Sequence, residues 1–290
     1  MVERNQWLVV NVDTSVNQSI IHVCGLVAYD GTAYHGFQYQ LGVPTIQGTL
    51  ENALRSFTDV STRVVGSGRT DTGVHANGQV ISVQVSWRHT VDDLQRAWNA
   101  HLPTTIALRS MQITPNGFHP RFSATRRTYR YTIFCVESID GNSAPKRSPL
   151  TDRFALYETR SLNLAKLRQA STYLIGEYDF ATFGQPPQGE NTMRQLYQAD
   201  WQVIETNLPS LNKYPGQCLV FTVTANGFLR QMVRNLVGTL LEVGLGNWTP
   251  EEVQLALIAR ERSRCAPPAP AHGLVLETVE YPKHLGLFLN

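Results

Sequence analysis

Arg69, Thr70 and Asp71 stand together in a glycine-rich run, GSGRTDTGVHANGQ, from Gly66 to Gln79. A carboxylate can act as nucleophile or base only when ionised, and a nearby cation favours that form. Gly68 and Gly73 flank the pair and let the backbone bend or approach another surface. A loop that only reversed the chain would need two or three turn residues. This one has no apolar run, and Ile81, Val83, Val85 and Trp87 then alternate with Ser82, Gln84 and Ser86. That is the period of a half-buried strand. A charged loop feeding straight into core structure points to a functional site rather than a surface turn. His75, in the same run, has the ordinary pKa of a general base.

Three other stretches carry candidate chemistry. Asn116 to Arg130 (NGFHPRFSATRRTYR) holds Arg121, Arg126, Arg127 and Arg130, with Phe118, Phe122 and Tyr129 between them and no acid in the run. Such a stretch reads either as a solvated face or as an edge that meets phosphates. Tyr34, His35, Phe37 and Tyr39 follow the Asp30-Gly31 turn signal. They suit stacking on unpaired bases, or packing beneath their own loop. Arg234 sits beside the apolar face of NGFLRQMVRNLVGTLLEV, an expensive place for a charge without a partner.

The elements that must position these residues are legible in outline. Strands are expected at Ile20–Ala28, after Gln79, at Tyr129–Phe134, Arg194–Glu205 and Cys218–Ala225, with one closing the chain. Helices are expected from Thr45, from Thr90 with Asp93 as capping partner, at Leu162–Ile175 ended by Gly176, at Asn226–Val243, and from Thr249-Pro250. The linker candidate is Gly141–Thr151, rich in Gly, Pro and Ser. The chain divides into an extension (1–18), an N-terminal half with the aspartate loop (19–145) and a C-terminal half (146–290). The expected class is α+β, two similar halves each laying helices on one face of an antiparallel sheet.

Composition sets the outer bounds. At 290 residues, 42% hydrophobic and 17% charged, the chain is an ordinary globular protein. It has no run of 18 apolar residues and its first residues do not resemble a secretory signal. Cys24, Cys135, Cys218 and Cys265 lack metal spacing and read as reduced thiols of a cytoplasmic protein. No phosphate loop, dinucleotide fingerprint or metal-spaced cluster occurs, so neither a metal nor a nucleotide cofactor is expected. The net charge of +2 decides nothing, because a polyanion responds to clustered charge.

GRTDTGVHANGQV resembles the signature segment of the TruA family of tRNA pseudouridine synthases. Five other segments extend the resemblance: YDGTAYHGFQYQ, FHPRFSATRRTYRY, EYDFATFGQ, FLRQMVRNLVG and APPAPAHGLVL. Together they cover nearly everything from Gly25 to Pro282. The resemblance implies the pseudouridine synthase fold, a mixed, mostly antiparallel sheet flanked by helices with the cleft between the halves. It implies isomerisation of uridine to pseudouridine at positions 38, 39 and 40 of the tRNA anticodon stem-loop, by a homodimer that needs no cofactor. Asp71 is then the nucleophile, Arg234 its partner, Tyr129 the ring against the uracil and Leu274 a further contact to the base. Arg69 is assigned to the flipped nucleotide or its phosphate, and Arg121, Arg126 and Arg127 to the RNA. The family does not use His75 as a base, which favours a structural hydrogen-bonding role.

The sequence departs from the family pattern at Pro120, in the stretch after Pro149, at Glu177 and Tyr178, and at an extra proline near Pro268. Two rival readings are an RNA-binding protein that keeps the fold without catalysis, and a hydrolase using Asp71 with His75 or His119. The residue types do not choose between attack of Asp71 at C1′, addition to the ring and removal of a sugar proton.

Overall fold

The computed structural model describes residues 20–58, 62–136, 149–186, 189–204 and 216–288. The N-terminal extension and most of the expected linker lie outside the described residues. Pro149, at the linker's end, opens a short helix, α3 (Pro149–Asp152).

Ile20–Tyr29 forms β1 (IIHVCGLVAY), whose β-branched residues suit a pleated, buried surface. It is followed by α1 (Ile46–Arg55), capped by the Thr45 hydroxyl, which accepts from Gly48 N. A two-residue strand, β2 (Val65–Gly66), then leads into the long strand β3 (His75–Ser86). The second helix, α2 (Val91–His101), has the full Thr90/Asp93 capping box. Strands β4 (Ile106–Ile113) and β5 (Arg126–Val136) follow. After α3 come β6 (Leu156–Glu158), α4 (Leu164–Thr172), β7 (Gly176–Asp179), β8 (Met193–Ile204) and β9 (Gly216–Ala225). The chain ends through α5 (Met232–Gly244), α6 (Pro250–Ala259, opened by the Thr249/Glu252 capping box) and β10 (Leu274–Glu280).

These strands make one sheet in the order β4-β1-β3-β10-β5-β9-β8-β7, with β2 on β3 and β6 on β5. Every pairing is antiparallel except β10 with β3 and β6 with β5. The mixed, mostly antiparallel sheet is therefore as expected. Two cores flank it. Ile46, Leu50, Leu94 and Trp98 of α1 and α2 pack on Val23 and Val83 of the first strands. Leu236, Val237, Leu240 and Val253 of α5 and α6 pack on Trp201 and Phe221 of the second set. Strand β10 joins them, with Leu274 in the second core and Leu276 in the first. Strand β5 precedes the linker, yet its Tyr131 and Ile133 belong to the second core.

Several boundaries differ from the sequence expectation, each for a physical reason. Strand β3 begins at His75, inside the stretch read as loop, because buried His75 and Gln79 have polar partners there. It is more than half-buried, since it lies between β1 and β10 and Ser82 is also inside. The helix expected from Asn226 starts only at Met232. Asn226 caps β8 through Gln195, Arg230 bridges to Gln185, and Gln231 adopts a left-handed φ of 60°. Helix α4 stops at Thr172, and Gly176, at φ 134°, opens β7 instead of ending the helix.

The segment Ala266–Gly273 lies across α5, and Gly238 makes that possible. A Cβ at Gly238 would stand 2.0 Å from the Pro267 carbonyl oxygen, a backbone atom that cannot swing away. Gly238→Ala should therefore cost about 1–3 kcal/mol by overpacking, read as a lower midpoint in urea unfolding. An unchanged midpoint would show that the segment is not pinned there.

Candidate active site

Three adjacent strands and one helix converge on Asp71. Its loop precedes β3, Leu274 begins β10, and Tyr129 lies on β5 opposite Leu276. Helix α5 brings Arg234 from the other half. The turn that carries the aspartate is closed by Val74 N–H donating to Asp71 O at 3.1 Å. Its third residue, Gly73, has a φ of 77°, the positive value that a type II turn requires there.

The loop is held from below and behind. Phe37 N–H donates to Thr70 O at 3.0 Å, and the Tyr29 and Thr70 hydroxyls are 2.8 Å apart. Gln79 accepts from Ser67 Oγ at 2.6 Å and donates to Gly68 O at 3.2 Å. His75 is 3% exposed, and its Nδ1 accepts from Gly31 N–H at 3.1 Å. Burial holds its pKa below the usual histidine value, against the pull of Asp30, so it is neutral near pH 7. Asp30 in turn meets Arg153 at 2.5 Å. A neutral, enclosed imidazole with Nδ1 already used has the structural role favoured above. His119 caps its own turn, accepting from Arg121 and Phe122 N–H.

Asp71 Oδ2 lies 4.0 Å from Arg234 Nη1, with the side chains 30% and 17% exposed respectively. Arg234 is aimed by two bonds to the segment over α5: its Nε donates to Ala269 O at 2.7 Å, and its carbonyl accepts from Ala269 N–H at 2.9 Å. Burial raises the Asp71 carboxyl above its ordinary 3.8, against the opposing pull of Arg234 and Arg230. The cations thus moderate an unfavourable charge without overcoming its burial.

Tyr129 packs against both cores and meets Phe228 edge-on at 5.1 Å. Burial, reinforced by nearby Tyr29 and Asp71, pushes its phenol up, so it stays protonated as a donor. Leu274 is 4% exposed and belongs to the second core. Arg69 is exposed on the rim of the loop.

The arginine stretch divides by role. Arg121 lies over Phe122, and the exposed Arg126 stacks on Tyr197 at 4.4 Å. The guanidinium of Arg127 is spent on three carbonyls, those of Asn226 (2.7 Å), Arg121 (2.8 Å) and Ser67 (3.3 Å). It clips the aspartate loop to two others. Arg130 corrects the expectation of an acid-free edge, since it pairs with Glu277 of β10 at 2.9 Å. Sequence reasoning missed Arg194 and Arg230. Burial, then Arg121 and Arg127, lowers the Arg194 pKa, which places it in the same positive cluster. Of the aromatic loop, Tyr34 and Phe37 are buried, while Tyr39 is 51% exposed and His35 is exposed.

Of the departures from the family pattern, the stretch after Pro149 reaches the aspartate loop, where Phe154 lies 4.9 Å from the His75 ring, and the prolines are accommodated locally. Pro267 and Pro268 face solvent between the buried Ala266 and Ala269. Pro120 is buried, and its carbonyl accepts from Tyr281 Oη at 2.7 Å.

The family model described as tRNA pseudouridine synthase matches residues 26–123 and 170–282. This chain belongs to the TruA family of tRNA pseudouridine synthases. It is 40% identical over 261 residues to tRNA pseudouridine synthase A of Chloroflexus aurantiacus, covering 90% of this chain and 88% of that one. Identity to the same enzyme of Pseudothermotoga lettingae is 36% over 257 residues, covering 88% and 98%. For Francisella tularensis subsp. novicida it is 38% over 258 residues, covering 89% and 93%. The tRNA pseudouridine synthase described here is thus an isomerase. Among the described residues, no helix is long and apolar enough to cross a membrane.

The raised Asp71 carboxyl makes a stability prediction. A carboxyl with a folded pKa above its unfolded value contributes stability fully only below the unfolded value, and loses it as pH rises through the folded one. Near neutral pH the charged Asp71 is therefore a net cost. Asp71→Asn should melt at or above the wild-type temperature there, by roughly one to a few degrees in a calorimetric scan. A variant melting several degrees lower would show that pairing with Arg234 outweighs burial.

Proposed function

We propose that this synthase isomerises uridine at positions 38, 39 and 40 of the tRNA anticodon stem-loop, with Asp71 as the nucleophile. The observation that supports the reading is the Asp71 carboxylate at the seam of two half-sheets, faced by an arginine that the other half aims at it. The isomerisation exchanges the C1′–N1 bond for a C1′–C5 bond. N1 gains a proton, C5 loses one, and no electrons are transferred. One ionised carboxylate and a held uracil suffice for that balance.

Roles follow from placement. A uridine within a stem must be extruded to reach Asp71, at a cost of a few kcal/mol. Arg69, exposed beside Asp71, is positioned to meet the extruded nucleotide. Tyr129 offers its ring to the uracil, and its hydroxyl relays the C5 proton by giving up its own proton as it accepts that one. Leu274 contacts the base through the small area it leaves open. Arg121, Arg126 and Arg194 form the edge that meets the RNA backbone, while Arg127 holds the loops that carry it. The proposal includes the cytoplasmic homodimer with tRNA lying across both subunits, which the family resemblance implies.

Tritium release tests the chemistry. Unmodified tRNA labelled at uridine C5 is incubated with the purified protein in EDTA without added cofactor. Wild type should release tritium and leave the strand intact, and modification should map to positions 38–40. Asp71→Asn should lose at least about a thousandfold in kcat while still binding tRNA. Near-normal release by that variant would overturn the assignment of the nucleophile.

A further inference from the structure

At the start of α5 lies a cleft of about 130 Å³, lined by Gly184, Gln185, Arg230, Gln231, Asn235 and Arg262. Its lining holds two guanidiniums and three side-chain amides, and no carboxylate. Both arginines are mounted on fixed supports. Arg262 Nη2 donates to Asn235 Oδ1 at 2.8 Å. Asn235 is 1% exposed, and its Nδ2 is anchored on Phe183 O at 2.6 Å. Arg230 is tied by its N–H to Gln185 O at 2.9 Å. The next residue, Gln231, takes the left-handed φ of 60° that breaks the helix and lets consecutive residues face the cleft. Non-glycine residues held in that region concentrate at ligand clamps and active sites.

The lining chemistry selects the ligand. Guanidiniums present donors in a planar fork and no acceptor, so they fit an oxyanion. The volume is well below the roughly 300–1,000 Å³ of pockets that take whole small molecules, which suits a single phosphate and not a nucleoside. Asn235 of the lining follows Arg234 in α5, and the Arg234 guanidinium stands 4.0 Å from Asp71 Oδ2, so the cleft lies close to the reacting position. Asp71 itself must stay free for the substrate.

We propose that this cleft seats the backbone phosphate adjoining the uridine that is isomerised, with Arg230 and Arg262 as its two ligands. The inference rests on the reading of Asp71 as the reacting carboxylate. Two arginines on one phosphate make a quantitative signature. Neutralising one phosphate contributes roughly 0.7–0.9 to the slope of log affinity against log salt. Losing both arginines should remove that amount once, not twice.

The probe is an unmodified tRNA transcript with uridine at position 39, bound by wild type, Arg230→Gln, Arg262→Gln and the double variant across a salt series. The double variant should flatten the slope by about 0.7–0.9, and the single effects should not add. A neutral methylphosphonate at one linkage flanking uridine 39 should weaken wild type and abolish its advantage over the double variant. Arg230→Gln disturbs no hydrogen bond of the Arg262–Asn235–Phe183 chain, so it keeps the test valid if Arg262→Gln unfolds. Tritium release by wild type with an unchanged salt slope in the variants would overturn the phosphate seat alone. Absence of release by wild type from the same transcript would overturn the reading of Asp71 and this inference with it.

Discussion

The insertion of β10 between β3 and β5 is the constraint on which the rest depends. This strand is the last of the chain, and its pairing with β3 is parallel and spans only Val275–His75 and Leu276–Ala76. That short contact joins two half-sheets into one and sets the Asp71 loop, which leads into β3, beside Leu274 of β10 and Tyr129 of β5. The segment leading into β10 is fixed by Gly238 beneath Pro267 and by Tyr131 Oη donating to Pro270 O at 2.9 Å. The same segment holds Arg234 through Ala269. Closure of the sheet and orientation of the arginine toward the carboxylate are therefore one event.

Electrostatics at the seam is a contest between burial and two cations. At 4.0 Å, the Asp71–Arg234 attraction runs from about 1 kcal/mol in water to about 4 kcal/mol at a partly buried surface. Burial still prevails and the carboxyl stands above its ordinary value. A carboxylate kept weakly stabilised in its charged form retains reactivity that a tight bidentate pair would remove. His75 is kept neutral by the same burial and spends Nδ1 on Gly31, so it braces the loop rather than competing for a proton.

Much of this was legible in the sequence. The caps at Thr45, Thr90 and Thr249 act within one turn, so local residue types specify them. The Asp71–Arg234 pairing was accessible only through the family resemblance, since 163 positions of chain separate the two residues. What stayed hidden was set by distant partners. Arg130 looked unpaired because Glu277 lies on a strand far along the chain. Arg127 looked like a phosphate contact because carbonyl acceptors leave no trace in residue types. The start of α5 was misplaced because Phe228 continues an apolar period that the left-handed Gln231 interrupts. The polar start of β3 concealed a strand whose hydrogen-bond partners come from the Tyr29 segment.

The most direct test of this account is the titration of the Asp71 carboxyl by carbon NMR, in wild type and in Arg234→Gln. The account predicts a wild-type pKa above the ordinary 3.8 and a higher one in the variant, because burial remains and one opposing cation is gone. A wild-type value below 3.8, or a value unmoved by loss of Arg234, would contradict it.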